Sequence, residues 1–290
     1  MAKTGWDRIL GHELPKKFLR ASLAKGRIGH AYAFVGPKGV GKATTAGVFA
    51  QSLLCPAAAG TGEPCCTCRT CGRIERGVHP DVHVLRPEGS SIGIDEVRAL
   101  QSALALKPFE AERKVAVIDD AETMTAASQN SLLKTLEEPP GDTVIILVAT
   151  NASALLPTIR SRCQILRFQP NAVGDVVERL VERGVPQDRA TLIAAIAEGR
   201  IGAALEMAQS DVVALRDRVA AWIDELHPGA AGLRSVIRIG QALEEEKDRV
   251  GDYLNLMFLW LRDLVLFKEG AHEAIANQDA KDRLERQAAR

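Results

Sequence analysis

Hydrophobic and polar positions divide the chain into two stretches of different rhythm. Up to residue 170, short apolar runs alternate with segments of helical period. The runs predict strands over residues 31–35, 82–85, 114–118, 144–148 and 164–168. The periodic segments predict helices over 14–25, 42–54, 94–106 and 126–138. Strand and helix in alternation imply an α/β domain, a parallel sheet with helices on both faces. Beyond Pro170 no strand pattern remains. Helices are predicted over 173–183, 187–198, 201–208 and 211–225, and, after His227-Pro228-Gly229 breaks the chain, over 231–246 and 249–268. In the last of these, Leu254, Met257, Phe258, Leu261, Leu264 and Val265 recur at spacings of three and four and make one wide apolar face. Two readings of that face stay open: packing in the chain's own core, or a subunit interface.

Composition narrows function more than fold. The 290 residues are 46% hydrophobic and 26% charged, which excludes a disordered chain, a collagen and a coiled-coil rod. With 37 basic and 37 acidic residues the net charge is zero. Contact with nucleic acid must then come from a local patch or a partner. Aromatics, at 4%, are too few for a base-stacking single-strand binder. No apolar run reaches the roughly 20 residues of a membrane span. Met1-Ala2-Lys3-Thr4-Gly5-Trp6-Asp7 lacks an apolar signal core, so the expected compartment is the cytoplasm.

The predicted strand at 31–35 runs into Gly36-Pro37-Lys38-Gly39-Val40-Gly41-Lys42-Ala43-Thr44. Gly36, Gly41 and Lys42 keep the G-x-x-x-x-G-K frame, between a strand and a helix as the motif requires. Glycines let backbone N–H groups turn inward around a phosphate chain, with Lys42 reaching the terminal phosphates. The plainer reading is a glycine-rich strand-to-helix turn with an incidental lysine. The position after the lysine departs from the motif: Ala43 stands where a Ser or Thr hydroxyl ligates Mg²⁺, and Thr44 lies about 100° further round the helix. Downstream, the run at 114–118 ends in Asp119-Asp120-Ala121-Glu122. This is a Walker B arrangement in which Asp119 would hold Mg²⁺ and Asp120 replaces the usual water-orienting Glu. Strand ends also carry Asp simply as turn residues. ATP and Mg²⁺ are therefore candidate ligands, the metal the less well served.

Five of the six cysteines fall within seventeen positions. Cys55-x9-Cys65-x2-Cys68-x2-Cys71 offers four thiolates for a tetrahedral Zn²⁺ site, with Cys66 spare. The Pro56–Pro64 linker has no apolar core of its own, so a zinc staple makes physical sense. Free thiols or a redox pair are the alternatives. His79 and His83 are read as ordinary polar residues.

Together these features resemble the clamp-loader subunits of bacterial DNA polymerase III, within the AAA+ ATPase superfamily, over nearly the whole chain. Gly11-His12-Glu13 opens the match, and Gly26-Arg27-Ile28-Gly29-His30 leads into the phosphate loop and the cysteine insert. Lys134-Thr135-Leu136-Glu137-Glu138-Pro139-Pro140, the sensor-1 region at Ala149-Thr150-Asn151, and Ile159-Arg160-Ser161-Arg162-Cys163 follow. The resemblance implies a P-loop αβα domain over 1–170 carrying the zinc module at about 55–71. It also implies a helical lid over 171–210 and a helical collar over 211–290 that builds a ring. The implied partners are the delta and gamma/tau subunits in a hetero-pentamer, and, through that complex, the sliding clamp and primed DNA at the nucleoid-associated replisome. Thr150 and Asn151 are the implied sensor residues. Arg162 is the implied arginine finger, supplied to a neighbour's ATP site; spacing alone leaves a surface or strand-capping arginine open.

Two kinds of subunit must be separated, a motor ATPase and a stator that gives its arginine without full hydrolytic equipment of its own. Ala43, Asp120 and Gly202, which stands where the motor type places a sensor-2 arginine, all favour the stator. The lack of a long tail beyond Arg290 adds to that expectation. The gamma/tau-type motor is the alternative, and a zinc-stabilised nucleotide-binding scaffold outside replication is a third. No two-metal nucleotidyl-transfer site is visible, so a polymerase label would belong to the holoenzyme.

Overall fold

The computed structural model describes residues 5–226 and 230–289; the predicted break at His227-Pro228-Gly229 lies outside them. The chain forms two compact units that divide between Pro170 and Asn171.

The first unit runs α1 (Glu13–Ala24), β1 (Ala31–Val35), α2 (Lys42–Leu54), α3 (Arg69–Glu75), β2 (Val82–Leu85), α4 (Ile94–Ala105), β3 (Lys114–Ile118), α5 (Ala126–Glu137), β4 (Thr143–Ala149), α6 (Pro157–Arg160) and β5 (Gln164–Arg167). All strand pairs are parallel, in the order β2-β3-β4-β1-β5. Every residue of β1, β3 and β4 is buried, as strands covered on both faces must be. Alternation then sorts their side chains. Tyr32, Phe34, Val115, Val117, Ile146 and Val148 join Val48 and Phe49 of α2 on one face. Ala33, Val35, Ala116, Ile118, Ile145 and Leu147 meet Leu100, Leu104, Leu132 and Leu136 of α4 and α5 on the other. Parallel strands put every β-to-α turn at one sheet end. The phosphate loop after β1, the acids after β3 and Thr150-Asn151 after β4 therefore share the carboxyl edge, whereas Arg162, before β5, lies at the amino edge.

The second unit is helical: α7 (Val173–Val181), α8 (Gln187–Ala197), α9 (Ile201–Met207), α10 (Val212–Glu225), α11 (Ala230–Glu245), α12 (Val250–Lys268) and α13 (Lys281–Ala288). A polar network ties its last segment down. Fully buried Asp263 accepts through Oδ2 from the Ala276 and Asn277 amides and from Asn277 Nδ2, at 2.7–2.9 Å. Buried Arg216 reaches Asn277 and takes Asp279 in a bidentate pair at 2.9 and 2.7 Å.

The core reading of the 249–268 face is corrected here. Tyr253, Leu256, Leu259, Trp260 and Asp263 are the buried positions of α12. Leu254, Phe258, Leu261 and Val265 are exposed, Phe258 by 73%. On α11, Leu233, Val236 and Ile237 are exposed as well. Three helices were not foreseen: α3, which begins inside the cysteine insert, the four-residue α6, and α13, which is mostly polar and buries Leu284 and Gln287. Among the described residues no helix is long and apolar enough to cross a membrane.

Candidate functional site

The phosphate loop has the backbone its glycines allow. Gly39 and Gly41 take φ of 81° and 111°, the left-handed region that side chains disfavour. A Cβ on Gly36 would lie 2.2 Å from the Phe168 carbonyl oxygen, so only glycine fits where the loop leaves β1 against the chain after β5. The Gly36 amide donates to the Ala149 carbonyl, fixing the loop to the end of β4. Gly41 caps α2 and Lys42 opens it. Lys42 is buried, and its Nζ donates back to the Gly36 and Pro37 carbonyls at 2.6 and 2.8 Å. Burial pushes its pKa below the ordinary value, while the carboxylates of Glu122, Asp119 and Asp120, in that order, push it up. Pro37, Lys38 and Val40 complete the turn.

His12 closes this loop from the far side. Its Nε2 lies 2.8 Å from the Val40 carbonyl, and its ring packs 4.8 Å from that of Phe168. A carbonyl only accepts, so Nε2 carries the proton; burial lowers the pKa and favours the neutral ring. Gly11-His12-Glu13 carries part of the family resemblance, but the sequence assigns His12 no role. Its signal was the resemblance alone.

The metal side is weaker. Ala43 and Thr44 are both exposed, with no hydroxyl at the position after Lys42. Asp119 is engaged by Arg86, Nε to Oδ2 at 3.3 Å, and its Oδ1 accepts from the Asp120 amide. Asp120 sits at φ 49° in the tight turn after β3, its carbonyl accepting from Thr123. The acid that most opposes the Lys42 shift is Glu122, whose buried Oε2 has no hydrogen-bond partner. It was visible in the sequence but carried no assigned role. Thr150 is half-buried beside the loop, and Asn151 Oδ1 caps the next turn, accepting from the Ala154 amide and Ser153 Oγ. The residues fit a phosphate chain. They do not fit a well-held Mg²⁺.

The cysteines converge. The Sγ atoms of Cys55, Cys65, Cys68 and Cys71 all lie within 4.8 Å of one another, with Cys55 to Cys65 at 3.6 Å and Cys55 to Cys68 at 3.9 Å. Tetrahedral zinc with bonds of about 2.3 Å needs sulfur–sulfur edges of about 3.8 Å. Backbone amides of Cys65, Cys68 and Cys71 donate to the sulfurs of Cys55, Cys65 and Cys68 at 3.3–3.4 Å, which favours thiolates. Such amide bonds pull the Cys65 thiol down to about 6, and burial pushes Cys71 up. Cys66, at φ 58°, turns away to the Pro64 carbonyl. His79 pairs with Glu110 and is no part of the cluster. The insert is anchored to α2 by Gln51 Nε2 on the Cys71 carbonyl, and to the N-terminal segment by Trp6 Nε1 on the Gly62 carbonyl.

At the opposite sheet edge, Arg162 is held by its own turn. Its Nη1 donates to the Thr158 carbonyl at 2.8 Å and to Ser161 Oγ at 3.3 Å, and its Nη2 pairs with Glu137 at 2.5 Å. Its side chain remains 34% exposed. β1 and β5, five and four residues long, separate the amino and carboxyl edges by about 13–17 Å at 3.3 Å per residue, so this guanidinium does not serve the chain's own phosphate loop.

The family described as DNA polymerase III, delta subunit, matches residues 11–172. The delta' subunit of DNA polymerase III from Bacillus subtilis is 36% identical over 265 residues, covering 91% of this chain and 80% of that one. The tau subunit of DNA polymerase III from the same organism is 29% identical, over 91% of this chain and 50% of its own. The Thermotoga maritima RuvB Holliday junction branch migration motor shares the fold, with TM-score 0.51 at 18% identity, over 95% of this chain and 84% of that one.

Proposed function

The chain belongs to the delta' family of DNA polymerase III subunits, and from that premise we propose that it is the stator of a clamp loader. In this reading it joins delta and gamma/tau subunits in a hetero-pentamer that loads the sliding clamp onto primed DNA in the bacterial cytoplasm. Residues 171–210 act as lid and 211–290 as collar. The exposed apolar faces of α11 and α12, Leu233, Val236 and Ile237 with Leu254, Phe258 and Leu261, suit contact with neighbouring subunits.

The observation that carries the reading is the division of labour between the two sheet edges. At the carboxyl edge a phosphate cradle survives without a metal-binding hydroxyl, and Arg86 occupies the acid that would hold Mg²⁺. At the amino edge an arginine is presented outward. Gly36 to Thr44 would hold a phosphate chain through backbone amides and Lys42, with Thr150 and Asn151 beside it; no hydrolytic step is assigned to Asp119 or Asp120. Arg162 would place its charge on the phosphates of a neighbour's ATP, where a trans arginine is worth about 10³–10⁵ in rate in related phosphoryl transfers. Cys55, Cys65, Cys68 and Cys71 would hold structural zinc. The test is ATP hydrolysis by the isolated chain. Negligible turnover is expected; a motor-like rate abolished by Lys42→Ala would favour the gamma/tau-type reading.

A further inference from the structure

Arg162 is fixed in two stages. The backbone of its turn is tightly held: the Ser161, Arg162 and Cys163 amides donate to the Pro157, Ile159 and Arg160 carbonyls, and Ile159 and Cys163 pack into the core beneath. The side chain, long and flexible by nature, is then fixed by Glu137, the last residue of α5. A carboxylate at a helix C-terminus faces the negative end of the helix dipole and is unfavourable there. The Arg162 guanidinium 2.5 Å away offsets that penalty.

We propose that Glu137 is the positioning residue for Arg162, holding its guanidinium in the orientation it offers to the neighbouring subunit's nucleotide. This rests on the trans-arginine reading above. A guanidinium carries five N–H donors. Three are used within the chain, two by Nη1 and one by Nη2. Nε–H and the second Nη2–H remain for phosphate oxygens, so Glu137 need not let go for the arginine to act. Its effect is to remove rotamer freedom before the encounter. A free arginine gives up most of its side-chain entropy on docking, and pre-ordering is worth about three- to tenfold in the turnover of the site served.

The experiment uses the reconstituted clamp loader with substitutions in this subunit alone: Glu137→Ala, Glu137→Gln, Arg162→Ala, and Glu137→Ala combined with Arg162→Ala. DNA-stimulated ATP turnover is measured across ATP concentrations. Glu137→Ala should lower kcat of the site that Arg162 serves about three- to tenfold, a smaller loss than that of Arg162→Ala, while leaving KM unchanged, because the interaction acts in the transition state. Glu137→Gln, which keeps an acceptor without the charge, should fall between. In the Arg162→Ala background Glu137→Ala should do nothing further. Wild-type turnover for Glu137→Ala beside a slow Arg162→Ala overturns the positioning role alone. So does an equal loss from Glu137→Ala in both backgrounds. Wild-type turnover for Arg162→Ala removes the trans-arginine reading, and this inference with it.

Discussion

Removing the proposed zinc from the cysteine site should unfold the insert and spare the sheet. Residues 55–71 span seventeen positions, and their own buried cluster holds only Cys55, Ala58 and Cys71, with Cys65 and Cys68 packed against it. Apolar burial on that scale contributes about 2–3 kcal/mol. Ordering seventeen residues costs at least about 17 kcal/mol in backbone entropy. The few ties, Trp6 to Gly62, Gln51 to Cys71 and the exposed Arg20–Glu63 pair, add about 1 kcal/mol each at most. Structural zinc at these four sulfurs would contribute about 10–16 kcal/mol and so close the gap. The phosphate-loop helix does not depend on it, because Val48 and Phe49 pack into the sheet core. Trp6 is a built-in reporter: it is 3% exposed and donates to a carbonyl within the insert. Chelation should red-shift its emission and remove amide-exchange protection over 55–75, leaving β1, β3 and β4 protected. Trp6→Phe should abolish most of the emission change. Complete metal removal with unchanged emission and exchange would refute the reasoning.

Other outcomes follow from the second unit. Asp263→Ala strips the acceptor from three buried donors; at about 1–3 kcal/mol each, the unit should lose roughly 3–9 kcal/mol in urea denaturation. Hydrogen bonds from Arg216 hold the Asp279 carboxyl below its ordinary 3.8. Their contribution is fully present above that value and lost as pH falls through the lower folded value. Stability should therefore drop between about pH 4 and the acid limit. Arg216→Met should flatten that stretch of the profile.

Much of the first unit was legible because each feature is local. The strand at 31–35 is a contiguous apolar run and those at 82–85 and 114–118 are interrupted only by His83 and Lys114, and the phosphate loop and cysteine spacings are fixed by backbone geometry. α3 was hidden because Arg69-Thr70-Cys71-Gly72-Arg73 has no apolar period, and its one strongly buried side chain besides Ile74 is Cys71. The α12 face stayed open for a different reason. That helix is apolar nearly all round, so a period of 3.6 identifies two stripes equally well. The stripe through Tyr253, Leu256 and Trp260 wins because it meets α10 and α13. Pairings such as Arg86 with Asp119, Glu137 with Arg162 and His12 with Val40 join residues distant in sequence, and no spacing rule reveals them.

The central claim is that Arg162 acts across a subunit boundary. The most direct test is a clamp loader carrying Arg162→Ala in this subunit alone, assayed for DNA-stimulated ATP hydrolysis and clamp loading. Arg162 is half-buried and its ion pair with Glu137 lies at the surface, where such pairs contribute at most about 1 kcal/mol, so fold, cysteine site and assembly should be retained. Turnover should fall partially, because one site of the ring is served. Wild-type rates of both hydrolysis and loading would contradict the account.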